Sequence, residues 1–371
     1  MRGNRSAKRR EPLTNATLLM LISIGVFIVM YGAAFFLMSE KGFSKPKMMF
    51  DLLNENGFLI ILACSLTVVM IGGGINISVG GVVGLTAMSC ALVLQNSEMP
   101  CNTLTVNLTF LLALGIGLAF GLLMGYLISY LEIQPFIVTL AGMVLARGLT
   151  TVLSTKPVNV THADFKALIK TKIEFPFLQS EINGVWINGK LEIGAAIALL
   201  IVVLIFLMMR KTKLGRNIYA VGGNQQSAMM LGINVKRTRF YSYVISGVLS
   251  GLAGFVFLMH TPKADTALAA RSEMDAIASS IIGGTLLTGG VGNVFGSFFG
   301  AMILSTIQKI MLLSDVKDAW WQNMASGAML GLFIVLQSIV LAVRGKGKMR
   351  LPDWLKFKPS KPDEAPATPT K

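Results

Sequence analysis

Residues 58–95 read FLIILACSLTVVMIGGGINISVGGVVGLTAMSCALVLQ, two apolar blocks, 58–71 and 80–95, on either side of the glycine-rich segment 72–81. An α-helix rises about 1.5 Å per residue, so roughly 20 apolar residues cross the hydrocarbon of a bilayer. Apolar blocks recur along the chain, which is 53% hydrophobic and only 14% charged, whereas about a quarter of the residues of soluble domains are charged. The pattern predicts an all-α fold, a polytopic membrane helix bundle.

The apolar blocks predict about ten transmembrane helices. The predicted spans are residues 17–38, 58–71, 80–95, 108–130, 135–153, 193–209, 240–259, 274–288, 294–313 and 324–343. If the N-terminus is inside the cell, most Lys and Arg fall in the inner segments 1–16, 210–239 and 344–371, while the outer loops are nearly balanced in charge. Because Lys and Arg are retained on the cytoplasmic side, both termini are predicted to be cytoplasmic. Membrane topology thus accounts for the net charge of +15, and nucleic-acid binding is not expected.

Around a transmembrane domain over residues 17–343, the sequence predicts two basic cytoplasmic ends. Residues 1–16 form the first, and the tail 344–371 is rich in proline, has no apolar periodicity and is expected to be disordered. The longest outer loop, 154–192, could pack as a small cap over the bundle or contact a partner from outside, and an ordinary folded extracytoplasmic loop fits the sequence at least as well. The inner loop 210–239 is expected to couple the chain to a cytoplasmic partner.

Two glycine-rich segments, 72–81 and 283–296, interrupt the apolar blocks and resemble a weak internal repeat. Irregular backbone at membrane depth is tolerated only where it is buried in protein or lines a wet cavity. Paired breaks in the two halves of a transporter indicate a translocation path. The polar side chains available to this path are Asn76, Ser78, Thr285, Thr288 and Asn293. The same side chains could instead satisfy the backbone groups that the breaks set free.

Arg147 is the clearest ionisable residue within a predicted span. A charge at that depth is costly unless it is paired or hydrated. Glu273 and Asp275 stand near the start of the eighth span, and Asp275 is the predicted partner of Arg147. A structural clamp is favoured over a contact with substrate.

The sequence contains no recognisable motif for energy coupling and no predicted metal site. It shows no midplane acid of the kind that ion-driven carriers use, no GxxxxGK[ST] phosphate loop, no HExxH motif and no nucleophile paired with a base. His162 and His260 are isolated, and Cys64, Cys90 and Cys101 form no plausible disulfide framework. We therefore expect a transport protein, not an enzyme, that binds no metal or cofactor and takes its energy from a partner, or else transports passively.

The inner connection LGRNIYAVGGNQQSAMMLGINV, residues 214–235, is too long for a simple turn. Asn224 can cap a helix, residues 225–231 can form about two turns, and Gly232 can end them. Such a helix would suit a soluble motor subunit as a rigid lever, although an ordinary interfacial helix fits the pattern equally well.

Five ordered segments resemble the permease subunits of ribose-type ABC importers, in a group that also includes nucleoside and branched-chain amino-acid permeases. They are GINISVG at 74–80, PFIVTL at 135–140 with RGL at 147–149, residues 215–232, EMDAIA at 273–278, and residues 283–296. The resemblance spans about residues 50–343. It implies a permease homodimer or a pseudo-symmetric pair of permeases in a bacterial inner membrane, two cytoplasmic ABC ATPases that use ATP, and an extracytoplasmic protein that delivers a monosaccharide.

The resemblance also implies that the inner helix docks on the ATPase. The residues it assigns to this coupling are Gly222, Asn224, Gln225, Ala228 and Gly232. The family commonly carries Asp in place of Asn76, and Glu and Arg in place of Gln225 and Met229. A nucleoside or other polar solute is the alternative substrate, and an ATP-independent carrier or channel is the alternative class.

Overall fold

The computed structural model describes residues 15–39, 42–95, 103–182, 185–314 and 319–344. The predicted N-terminal segment, up to residue 14, lies outside the described residues, as do the tail from residue 345 and Cys101.

The described residues form fourteen α-helices and four short strands. The first seven helices are α1 (Asn15–Leu37), α2 (Lys47–Glu55), α3 (Gly57–Ile71), α4 (Val79–Gln95), α5 (Thr103–Ser129), α6 (Pro135–Leu153) and α7 (Ala163–Lys170). The others are α8 (Ile193–Lys211), α9 (Lys213–Gly223), α10 (Gln225–Met230), α11 (Val235–His260), α12 (Ser272–Ile282), α13 (Val294–Leu313) and α14 (Ala319–Arg344). The strands are β1 (Val158–Asn159), β2 (Lys172–Ile182), β3 (Val185–Glu192) and β4 (Lys263–Ala264).

Each predicted span coincides with one helix, so the prediction of a polytopic helix bundle is confirmed. In the described chain, six helices are long and apolar enough to cross a membrane, and α2 and α3 form a further pair bent by 58°. The helices α4 and α12 are shorter, and the count of ten crossings stays a prediction. The predicted end of the eighth span at residue 288 is wrong, because α12 stops at Ile282, where Gly283 and Gly284 close the helix.

Helix α3 lies at the centre of the bundle. All of its residues except Phe58 are buried, and α8, α11, α12 and α13 pack around it. A helix that is covered by protein on every side has no face in contact with water and is apolar all round. This explains why residues 59–71 carry no charge.

Helices α5 and α11 cross at close range through small residues. A Cβ built on Gly247 would overlap the carbonyl oxygen of Gly117, and one built on Gly121 would lie 3.0 Å from the carbonyl oxygen of Tyr243. Glycine at four-residue spacing on both helices allows this approach, which is typical of helix pairs in membranes.

The predicted outer loop folds into a β-hairpin and the short helix α7. Strands β2 and β3 pair antiparallel from Lys172 opposite Glu192, with an irregularity after Phe175. The hairpin packs on α2, where the rings of Phe50 and Phe175 stack with centroids 5.4 Å apart. Asn54 fixes the contact, since its side chain donates to the Lys190 carbonyl at 2.9 Å. The segment therefore covers one end of the bundle.

Candidate translocation path and coupling helix

The two glycine breaks share one backbone geometry. After α3, the N–H groups of Gly73 and Gly74 donate to carbonyl oxygens three and five residues back, at 2.9 and 3.0 Å. After α12, Gly284 and Thr285 make the same two bonds at 2.8 and 3.0 Å. Gly73 and Gly284 both have a positive φ, of 79° and 90°, which favours glycine. The predicted internal repeat thus has a structural counterpart in α3–α4 and α12–α13.

A first polar cluster, Ser65, Asn76, Ser78 and Ser246, lies beside the first break. The Asn76 amide donates to Ser246 Oγ at 2.9 Å and accepts from Ser78 Oγ at 2.6 Å. The hydroxyls of Ser246 and Ser65 lie 2.7 Å apart. All four side chains are buried. The amide of Asn76 is both donor and acceptor, so the cluster is satisfied without a buried charge.

A second polar cluster, Thr67, Ser280, Thr285 and Ser297, lies on the other side of α3. Thr67 Oγ1 lies 2.6 Å from Ser297 Oγ and 3.2 Å from Ser280 Oγ. Thr285 Oγ1 lies 3.4 Å from Ser297 Oγ. Asn293 caps α13, and its Oδ1 accepts from the N–H two residues later at 2.9 Å.

The structure therefore places the five predicted path residues in different surroundings. Asn76, Ser78 and Thr285 are buried and bonded inside one chain, and Asn293 holds a helix end. Thr288 is exposed at the tip of the second break and joins neither cluster. In this conformation, the bonded side chains satisfy one another and the backbone of the breaks. Their role in a translocation path stays a prediction.

The predicted pairing of Arg147 with Asp275 is wrong. A guanidinium nitrogen of Arg147 instead donates to Glu273 Oε1 at 2.7 Å. Two residues on a helix point about 200° apart, so the two acids face different neighbours. Glu273 lies against Gly80 of α4, where a Cβ would overlap its carboxylate, while Asp275 lines a separate cavity of about 360 Å³ with Lys309.

The ion pair stands between the protein interior and an open helix face. The Glu273 side chain is 5% exposed and its Oε2 has no hydrogen-bond partner, whereas the Arg147 side chain is 41% exposed. Helix α6 packs on α4 and α5 and leaves its opposite surface uncovered in one chain. This open α6 face carries Ile137, Leu140 and Val144 beside Arg147. A half-exposed guanidinium in hydrocarbon is costly, so this face fits contact with water or protein.

The predicted inner helix is present. Asn224 Oδ1 accepts from the Ser227 N–H at 2.9 Å, which caps α10, and Gly232 follows its end with a φ of 77°. Sequence reasoning missed α9, which precedes it. The signal was Thr212, whose hydroxyl accepts from the Gly215 N–H at 3.1 Å and caps that helix.

The coupling helix α10 turns an apolar surface to solvent. Ala228 is buried against α9 and α11, while Gln225 accepts from Arg239 at 2.8 Å. Met230 and Leu231 are 88% and 78% exposed, and Met229 is also exposed. We call Met229, Met230 and Leu231 the coupling surface. Adjacent exposed apolar residues of this kind are candidates for a contact site with another protein.

A glycine junction joins α9, which leads into α10, to both breaks. It comprises Gly73, Gly222, Gly289 and Gly290. The Gly290 N–H donates to the carbonyl oxygen of Ile71 at 2.8 Å, and a Cβ built on Gly222 would overlap that oxygen. A Cβ on Gly289 would lie 2.8 Å from the Cα of Gly73. The end of α9 is thus in backbone contact with the ends of both breaks.

Comparison with known proteins agrees with this architecture. The family described as branched-chain amino acid transport system / permease component matches residues 48–335. The inner membrane ABC transporter permease protein YjfF of Escherichia coli K12 is 36% identical, over 89% of this chain and 92% of its own. The fructose import permease protein FruG of Bifidobacterium longum is 35% identical, over 79% and 83%. The ribose import permease protein RbsC of Haemophilus influenzae is 29% identical, over 79% and 85%.

No solved structure matches this chain. The family match spans the bundle from α2 into α14, and it includes both breaks, the ion pair and the coupling helix. This chain is therefore a multi-pass membrane protein that belongs to the branched-chain amino acid transport system permease component family.

Proposed function

We propose that this chain is the membrane-spanning permease of an ABC importer that translocates a monosaccharide. The glycine junction carries the proposal, because it ties a solvent-facing inner helix to both breaks in the bundle. The names of relatives that import fructose and ribose support a sugar as the cargo. In this proposal the chain itself binds no cofactor, and ATP is used by separate ATPase subunits.

The coupling surface is the proposed docking point for the ATPase. Met230 and Leu231 are free to insert into a partner groove, while Ala228 anchors α10 to α9 and α11. A displacement of α10 would reach the breaks through Gly222, since no side chain cushions that contact. ATP-driven movement of the ATPases would then select between outward and inward access.

The translocation path is proposed to run along the open α6 face between two copies of the chain. Arg147 is polar and half exposed on that face, and its partner Glu273 fixes it there. The first break lies behind this face, where Gly81 meets Met143 and Ala146 of α6, and would change the shape of the face when it moves. The hairpin β2–β3 covers the opposite end from α9–α10 and is the proposed contact for an extracytoplasmic sugar-binding protein.

Transport in proteoliposomes tests the proposal. The chain is reconstituted with its ATPase and with the binding protein loaded with ribose or fructose, and sugar uptake is measured. Uptake is expected to require both ATP and the ATPase. Uptake that persists without them would make the chain a carrier or channel. A ligand screen on the binding protein separates a sugar from a nucleoside.

Docking is tested on the coupling surface. The double variant Met230→Ala, Leu231→Ala is expected to weaken ATPase binding at least about tenfold, because exposed anchors at an interface carry much of its affinity. Lys236→Ala is the matched control, an exposed residue on the same side of the bundle. Equal binding by all three proteins would place the ATPase elsewhere.

A further inference from the structure

A groove of about 890 Å³ lies where α1, α8, α9 and α13 meet. Its walls include Met20, Phe206, Arg210, Arg216, Tyr219 and Phe295. We call it the basic groove. Neither the coupling surface nor the two polar clusters take part in it.

The basic groove lies at one boundary of the membrane. The C-terminal end of α8 contributes Arg210, the first turns of α1 contribute Met20, and the start of α13 contributes Phe295. Three helix ends therefore meet at this level, on the α9–α10 side that the distribution of Lys and Arg predicts to be cytoplasmic. Lipid headgroups occupy this depth.

The charge of the groove is positive and uncompensated. Its lining contains two arginines and no acid. Arg210 lies over the ring of Phe206 at 5.8 Å, and Arg216 donates to the carbonyl oxygen of Lys211 at 3.2 Å. In the part of the chain that the structure describes, neither guanidinium forms a salt bridge. Planar guanidinium groups bind phosphate oxygens bidentately.

The remaining wall is apolar and aromatic. The rings of Phe206 and Phe295 contact each other edge to face with centroids 4.4 Å apart, and Met20 lies across from them on α1. A soluble phosphate would leave this wall unused, whereas an acyl chain would cover it. The first ten residues of the chain carry Arg2, Arg5, Lys8, Arg9 and Arg10 and no acid, so they would be repelled by the arginines.

We propose that the basic groove binds an anionic phospholipid of the leaflet on the α9–α10 side. Arg210 and Arg216 hold its phosphate, and an acyl chain lies along Met20, Phe206 and Phe295. Basic pockets between transmembrane helices on the cytoplasmic side recognise such headgroups. Tyr219 connects the site to the second break, because its hydroxyl donates to the Gly292 carbonyl at 2.9 Å on the groove floor.

Native mass spectrometry of the full chain in detergent tests this site with dioleoyl-phosphatidylglycerol as the probe. The double variant Arg210→Gln, Arg216→Gln is expected to bind the probe roughly 10- to 30-fold more weakly, because each substitution removes one positive charge from the phosphate site. The matched control Lys213→Gln, Arg237→Gln removes the same charge from exposed positions of the same side and is expected to keep the affinity. Dioleoyl-phosphatidylcholine is expected to bind weakly to all of them.

Two further measurements distinguish lipid binding from the binding of a soluble anion and from a loss of binding caused by misfolding. Inorganic phosphate is expected not to displace the probe. Met20→Trp fills the apolar wall without changing a charge and is expected to weaken binding as well, in protein that stays monodisperse. Equal losses in the two double variants, displacement by inorganic phosphate, or full binding by Met20→Trp would each overturn the proposal. Because binding is measured directly, the result stands apart from the proposed transport activity.

Discussion

Arg147 and Glu273 form an ion pair whose carboxylate is buried. A buried carboxylate without its cation would be left unpaired, and breaking such a pair costs about 3–5 kcal/mol when both partners are buried. Arg147 is 41% exposed, so solvent screening lowers this figure. The pair is therefore a clamp between α6 and α12 that also fixes a positive charge on the open α6 face.

A double-mutant cycle between Arg147→Gln and Glu273→Gln is expected to show a coupling energy of about 1–3 kcal/mol. The free energy of unfolding in detergent is the quantity measured. The matched cycle pairs Arg147→Gln with Asp275→Asn, because Asp275 lies two residues from Glu273 on the same helix. The effects of these two substitutions on the free energy of unfolding are expected to be additive. Strong coupling to Asp275 and none to Glu273 would contradict the geometry.

Glu192 joins the outer hairpin to the end of α11. Burial raises the pKa of this carboxyl, but hydrogen bonds and positive charge from His260 and Lys172 outweigh burial and leave the pKa below its ordinary value of 4.5. Lys172 Nζ and His260 Nδ1 lie 3.0 and 2.8 Å from the carboxylate oxygens. A lowered carboxylate pKa stabilises the folded state above the unfolded pKa, and this stabilisation is lost as the pH falls through the folded pKa.

The melting temperature of the wild-type protein is therefore expected to exceed that of Glu192→Gln at pH above about 4.5, with the gap closing below that value. Asp164→Asn in α7 is a control on the same side of the bundle, since Asp164 makes no ion pair among the described residues. A gap that stays constant down to pH 3 would show that the charge of Glu192 does not hold the hairpin.

Among the structural elements, α9 and α10 depend on two adjacent glycines that differ in their surroundings. Gly222 is closed in by the carbonyl oxygen of Ile71, whereas a Cβ on Gly223 would meet nothing within 4 Å. Both backbones contact the breaks, since a Cβ on Gly290 would lie 2.5 Å from the Cα of Gly223, but only at Gly222 would an added methyl group meet the breaks. Overpacking such a contact costs about 1–3 kcal/mol.

Gly222→Ala is expected to lower the melting temperature and to reduce ATP-dependent uptake more than tenfold, because α9 must move away from both breaks. Gly223→Ala is the matched control and is expected to retain both properties. Thermal unfolding in detergent and uptake in proteoliposomes measure the two effects. Equal behaviour of the two variants would remove the glycine junction from the coupling route.

At the scale of the whole molecule, one chain leaves the α6 face uncovered. Leu140 and Val144 are exposed there beside Arg147, and the main protein neighbours of α6 are α4 and α5 on its other side. A second copy of the chain would cover this face and enclose the charged residue. This uncovered face supports the proposed homodimer, which the resemblance implies.

Cysteine cross-linking tests the dimer in native membranes. In a Cys101→Ser background, Val144→Cys is expected to form a cross-linked dimer with a short bifunctional reagent, while Leu200→Cys on α8 is expected to stay monomeric. Cys64 and Cys90 are buried and do not compete. Cross-linking through Leu200→Cys alone would move the interface away from α6.

The sequence predicted well whatever depends on neighbouring residues. Asn224 and Gly232 predicted the boundaries of α10, because capping is a local hydrogen-bonding requirement. The two glycine breaks were found because they too depend on residues within one segment. The outer hairpin was not identified as strands, since residues 172–192 mix one proline, two glycines and five charged residues without a clear alternation. The partner of Arg147 was missed because two acids two residues apart look alike in sequence and face opposite directions in a helix.

The sequence by itself determined that this protein lies in a bilayer, where its long apolar helices run and where glycine interrupts them, because hydrophobic length, capping and glycine act within one segment. Only the tertiary structure decided that Glu273 pairs with Arg147, that Gly222 meets both breaks, and that α1, α8 and α13 enclose a basic groove. Those contacts join residues far apart in the chain, and their geometry depends on how the helices pack around α3.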